Sequence, residues 1–106
     1  MILSTHVLDA TAGTPAAGVS VTLTDRAGAE LTRAVTDDDG RVARFEVDLP
    51  AGVYRLHFDT GAYFAALGVA TFYPEVIVAF ETTDVGAKYH VPVLLSPFAY
   101  STYRGS

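Results

Sequence analysis

Val19-Ser20-Val21-Thr22-Leu23-Thr24 sets three aliphatic side chains against three hydroxyls in alternation. Successive side chains of a strand point to opposite faces, so Val19, Val21 and Leu23 share one face and Ser20, Thr22 and Thr24 the other. One apolar and one hydroxyl-bearing face is the pattern of an antiparallel strand half in a core and half toward water. The same signal recurs in both directions from this stretch. Upstream, Ile2 to Asp9 alternates more loosely, and Thr11-Ala12-Gly13-Thr14-Pro15 breaks it. Downstream, Ala27-Gly28 reads as a turn and Leu31 to Thr36 as a weaker strand. Asp37-Asp38-Asp39-Gly40 is a turn in which the glycine can take positive φ, and Arg41 to Val47 resumes as strand. Pro50-Ala51-Gly52 turns the chain into Val53 to Phe58.

From Asp59 to Leu67 the period changes. Tyr63, Phe64 and Leu67 recur at helical spacing among alanines, Asp59 or Thr60 can cap, and Gly68 closes. Strands follow over Glu75 to Glu81, Tyr89 to Leu95 and Phe98 to Tyr103, separated by a turn at Asp84-Val85-Gly86-Ala87 and a bend at Ser96-Pro97. About eight short strands and one short helix at this spacing predict a two-sheet β-sandwich. The 106 residues predict a single domain over 1–106.

Composition narrows the function classes. A net charge of −5 with scattered Lys and Arg leaves no basic footprint for nucleic acid. No apolar run is long enough for a membrane helix, and the first residues lack a secretory pattern, so a cytoplasmic protein is expected. With no cysteine, thiolate nucleophiles and zinc–thiolate sites are excluded. Half the residues are hydrophobic and only 18% charged, more apolar character than a lone small domain hides easily, which points to a subunit interface.

The titratable candidates are His6, His57, His90, Arg41 and Arg104. Taken singly, each histidine reads as a strand residue. His57, between Leu56 and Phe58, is assigned a hydrogen bond near its strand end, and His6 shares a face with Ser4. No two histidines have metal-ligand spacing, and Asp37-Asp38-Asp39-Gly40-Arg41 lacks the ligand pattern of a calcium loop, so no metal or cofactor is expected. Arg41 and Arg104 read either as solvated or ion-pairing cations or as planar donors for a carbonyl-rich or anionic ligand.

Five blocks, in order, resemble the transthyretin-like 5-hydroxyisourate hydrolases. They are Ser4-Thr5-His6-Val7-Leu8-Asp9 with Gly13-Thr14-Pro15-Ala16; Thr36 to Arg41; Gly52 to Phe64; Phe72-Tyr73-Pro74-Glu75-Val76; and Tyr89 through Tyr103-Arg104-Gly105-Ser106. The closing Tyr-Arg-Gly-Ser, joined to Leu94-Leu95-Ser96-Pro97 and Tyr100-Ser101-Thr102, is the most specific. The resemblance implies a prealbumin-type all-β sandwich of two four-stranded sheets with one short helix. It also implies a homotetramer with sites at the dimer–dimer interface. His6, Arg41, His90 and Ser106 are the catalytic residues it implies, and Tyr103, Arg104 and Gly105 the substrate-binding ones. The implied reaction is hydrolytic ring opening of 5-hydroxyisourate to 2-oxo-4-hydroxy-4-carboxy-5-ureidoimidazoline. His6 or His90 would be the general base, Arg41 an electrostatic clamp, and the Ser106 carboxylate a group that can orient a histidine. Two other readings compete. Vertebrate transthyretins are similar in fold and in Leu-Leu-Ser-Pro and bind thyroid hormone, but they lack the Tyr-Arg-Gly-Ser ending. Repeated prealbumin-like structural modules resemble the first sixty residues but leave His90 and the final tetrapeptide unexplained.

Overall fold

A computed structural model describes residues 1–106. The chain runs β1 (Ile2–Asp9), β2 (Thr14–Pro15), β3 (Ser20–Asp25), β4 (Glu30–Val35), β5 (Arg41–Val42), β6 (Gly52–Phe58), α1 (Thr60–Ala66), β7 (Val76–Thr82), β8 (Lys88–Ser96) and β9 (Ala99–Thr102). One sheet has the order β4-β3-β6-β7. The other has the order β2-β1-β8-β9, with β5 also paired to β1. The expected pair of four-stranded sheets is present, and the two-residue strand β5 is added to the second.

Alternation explains the layers. In β1, Leu3, Thr5, Val7 and Asp9 are buried while Ile2, Ser4, His6 and Leu8 face outward. In β3, Val21 and Leu23 meet Leu56 and Phe58 of β6 inside the sandwich, with Val93 and Leu95 contributed by β8. Buried polar atoms find partners. Thr5 Oγ1 donates to Val91 O at 2.6 Å, and Thr36 Oγ1 accepts from Val19 N while donating to Ala16 O. Thr24 departs from its expected place on the water side. The register with β4 shifts after Leu23, and Thr24 is buried with its hydroxyl 3.1 Å from His57 Nε2. That contact is the strand-end hydrogen bond expected of His57.

The strand expected over Arg41 to Val47 ends at Val42. Beyond it Phe45, Val47 and Leu49 still turn inward and Arg44, Glu46 and Asp48 outward, but no partner strand lies alongside. Phe45 N bonds to Leu3 O, and Phe45 and Leu49 fill the core. Period-two patterning reports which side is buried, and here burial occurs without a ladder.

Helix α1 is capped by Asp59, whose carboxylate accepts from Ala62 N, and it ends at Gly68 in the left-handed region, φ 68°. It buries Thr60 and Phe64, and Tyr63 donates from its hydroxyl to the buried Asp9 at 2.8 Å. This helix is too short to cross a membrane, and no helix in the chain is long and apolar enough to do so.

Candidate active site

The outward face of the β1–β8 pair carries the site. These strands run parallel in register, which sets Ser4 beside His90 and His6 beside Pro92. On its other edge β1 takes β5 antiparallel, opposing His6 to Arg41. Arg41 is delivered there by the acidic turn. Asp37 Oδ1 accepts from the amides of Asp39 and Arg41, and Gly40 sits at φ 74° with its carbonyl receiving Val7 N at 2.7 Å. A Cβ at Gly40 would lie 2.3 Å from Val7 O, so only glycine allows β5 to approach β1 this closely. The carboxylate of Asp37 is thereby engaged by backbone amides, and no cluster of three or more His, Asp or Glu side chains in the chain converges in a way that holds a metal.

The last residues reach His90 along β9. Pairing with β8 runs from Ser96↔Ala99 to Val93↔Thr102. In the same register Pro92 would face Tyr103, but Pro92 has no N–H to give, and the ladder lapses there. Thr102 Oγ1 donates to Pro92 O at 2.8 Å, and pairing resumes at His90↔Gly105, where Gly105 N donates to His90 O at 2.8 Å. The tetrapeptide is thus fixed at its third residue. Gly105 packs against the Cδ2 side of the imidazole so closely that an added Cβ would stand 2.4 Å from Cδ2. Across the ring, Nδ1 is 2.8 Å from Ser4 Oγ.

Arg41, His90 and Ser106 border one open depression of about 400 Å³, together with Ser4 and Lys88. Tyr103 and Arg104 lie on the other flank of His90, in a more apolar cavity of about 250 Å³ with Val78, Phe80 and Tyr89. Arg104 is held there by its guanidinium, 4.9 Å from the centre of the Tyr89 ring. Tyr89 is itself anchored, its phenolic oxygen accepting from Asp84 N and Thr83 N. Those two amides, Asp84's first, hold its hydroxyl below the usual tyrosine pKa, with a smaller contribution from Arg104. The predicted residues therefore divide. Arg41, His90, Gly105 and Ser106 come together, His6 stands beside them on the same face, and Tyr103 and Arg104 occupy the adjoining cavity. Ser4, Lys88 and Tyr89 are additional neighbours. Of these, only Ser4 had a sequence signal, its position two residues before His6.

The two imidazoles differ chemically. His6 Nε2 lies 2.9 Å from the carbonyl oxygen of Asp39, and because a carbonyl only accepts, Nε2 carries the hydrogen. His90 is half-buried, and its pKa is held below the ordinary histidine value, by burial first and then by the neighbouring Arg41 and His6. The backbone of Ser4 acts in the opposite direction. His90 is thus a neutral ring at physiological pH beside a permanent cation, which is the condition a general base needs.

A sandwich of this strand order, with one helix after β6 and a histidine–arginine face reached by the last residues, defines a transthyretin-type protein with a polar site on one sheet. The chain belongs to the HIUase/Transthyretin family, whose model matches residues 3–105. It is 44% identical over 110 residues to the 5-hydroxyisourate hydrolase of Salmonella typhimurium, covering 99% of this chain and 81% of that one. Among solved structures it is similar to Klebsiella pneumoniae 5-hydroxyisourate hydrolase, with a TM-score of 0.92, 43% identity and full coverage of both chains. It also resembles sea bream transthyretin in complex with thyroxine, with a TM-score of 0.89 and 34% identity over 97% of this chain and 93% of that one.

Proposed function

We propose that this chain hydrolyses 5-hydroxyisourate, opening a cyclic amide to give 2-oxo-4-hydroxy-4-carboxy-5-ureidoimidazoline. The observation that carries the reading is the His90↔Gly105 bridge, which brings Ser106 to the depression that Arg41 and His90 already border. The similarity to two proteins named for this activity supports it.

Hydrolysis of an amide requires a water stripped of a proton, relief of charge on the oxyanion, and a proton for the departing nitrogen. In this reading neutral His90 takes the proton from water, and the resulting imidazolium returns it to the ring nitrogen as the C–N bond breaks. Arg41, an exposed guanidinium with several N–H donors, faces the developing oxyanion. Ser106 borders the same depression and contacts the heterocycle. His6, with one nitrogen committed to Asp39 O, contributes to the electrostatics that keep His90 neutral. Tyr103 and Arg104 bind the far side of the substrate from the adjoining cavity.

The same reading includes a homotetramer with the sites at the dimer–dimer interface. Exposed aromatic side chains support association, with Phe72 71% and Phe98 69% accessible, more than a lone domain usually leaves uncovered. Light scattering of the purified chain tests it.

The activity is tested with 5-hydroxyisourate generated in place by urate oxidase. Its absorbance is expected to decay faster with this protein than without it, and slowly again with His90→Asn. Equal decay with and without the wild-type chain overturns the assignment. Saturable thyroxine binding without hydrolysis would favour the hormone-binding reading instead.

A further inference from the structure

Ser4 lies outside every residue set that the sequence assigns to the site, yet its hydroxyl makes the one side-chain hydrogen bond to His90. We propose that Ser4 is a positioning residue that sets the tautomer of His90: its Oγ accepts the hydrogen of Nδ1 at 2.8 Å and so leaves the Nε2 lone pair free to act as the base. The inference rests on the proposed hydrolysis only for its kinetic consequence, since the tautomer is a property of the free protein.

Three observations support it. The first is register. The parallel pairing of β1 with β8 places Ser4 directly beside His90, so the contact is fixed by two strand backbones. The second is the clamp. Nδ1 and Cδ2 flank the attachment carbon of an imidazole. Ser4 stands at Nδ1 and Gly105 packs on the Cδ2 side, so the ring has little freedom to turn and its Nε2 tip is the part left open. The third is that the hydroxyl, which can either donate to Nδ1 or accept from it, has another outlet for its own hydrogen. Ser4 is only partly buried, which leaves its own hydrogen able to meet solvent.

The tautomer matters because a neutral imidazole has one basic nitrogen. With Nδ1–H held by Ser4, that nitrogen is Nε2. Without Ser4 the proton redistributes between the two nitrogens, and a ring protonated on Nε2 presents a donor where the reaction needs an acceptor.

The test uses Ser4→Ala and Ser4→Thr in the full-length protein, with histidine labelled by nitrogen-15. At a pH above the ring's titration, wild-type His90 is expected to show Nδ1 protonated and Nε2 bare. Ser4→Ala is expected to move the spectrum toward the other tautomer, and Ser4→Thr to restore it. In turnover, Ser4→Ala is expected to lose roughly ten- to a hundredfold in kcat, the range for a hydrogen bond to a charged group, with KM little changed. Ser4→Thr recovers most of that loss. An unchanged tautomer in Ser4→Ala, or a shifted tautomer with unchanged kcat, overturns the proposal while leaving hydrolysis intact. If the wild-type chain shows no hydrolysis, the functional reading fails by itself, and the spectra alone still decide whether Ser4 sets the ring.

Discussion

Replacing Gly105 by alanine places a methyl carbon 2.4 Å from Cδ2 of His90, 3.1 Å from Cγ and 3.3 Å from Cβ. Unstrained carbon contacts lie near 3.5–4.0 Å, so the two groups must separate by more than about 1 Å. Two movements can provide this. The chain can lift off β8, losing the Gly105 N–His90 O bond of 2.8 Å and carrying Ser106 away, or the imidazole can swing toward Ser4, spoiling the 2.8 Å contact at Nδ1. Either displaces the reacting groups by about the amount that costs on the order of a hundredfold in rate, or about 2.7 kcal/mol of transition-state stabilisation. Stability should hardly change, by less than about 1 kcal/mol, because Gly105 is not held in the left-handed region and lies beyond the last strand. The assay pairs the decay of 5-hydroxyisourate with a thermal melt of the same sample. A Gly105→Ala protein that melts like wild type but has lost most of its kcat/KM fits the geometry. One that keeps the wild-type rate would show that the packing of Gly105 on His90 is irrelevant to the chemistry, and the site would have to be sought elsewhere.

Three further outcomes follow from other contacts. Gly40→Ala combines left-handed strain with a Cβ 2.3 Å from Val7 O. It should cost at least about 2 kcal/mol, a drop in Tm of roughly 10 °C, and an unchanged melt would contradict this. Arg41→Gln removes a cation that depresses the His90 pKa, so the acid limb of kcat/KM, which lies below the ordinary histidine range in wild type, should move toward neutral pH as the rate falls; a limb that stays put counts against His90 as the base. Tyr63, with its pKa pushed up to about 12 by burial and by Asp9, binds its proton more tightly folded than unfolded, where the value is 10.0. Its contribution to stability is therefore full below pH 10 and is lost as pH rises through about 12. Wild type should lose more stability over that window than Tyr63→Phe, which itself starts about 1 kcal/mol lower for want of the Asp9 bond, and parallel curves for the two proteins would refute the linkage.

The sandwich was legible because alternation is a local property. Val19, Val21 and Leu23 announce a buried face without reference to any partner. What lies alongside is a long-range matter. Nothing in Ile2–Asp9 or Lys88–Ser96 says that they pair in parallel, and so the Ser4–His90 contact could not be read from either segment. Arg41 to Val47 shows the complementary error, since its alternation is real but serves a loop that plugs the core. At the site, resemblance supplied the residue set, and the strand register sets His6, Arg41 and His90 on one face of one sheet. The division of the last four residues between two cavities was hidden, because it depends on Pro92 interrupting a ladder at a register that only the folded sheet defines. His6 and His90 are alike in the sequence. They become distinguishable through a carbonyl 33 positions away from one and a hydroxyl 86 positions away from the other.

The pairing of the first long strand with the penultimate one has a temporal consequence. Contacts between segments so distant in the chain form late and slowly, because the loop between them must close before they are rewarded. During synthesis β1 leaves the ribosome early and has to wait, edge unsatisfied, until β8 emerges, and the groups around His90 assemble only after Gly105 has followed.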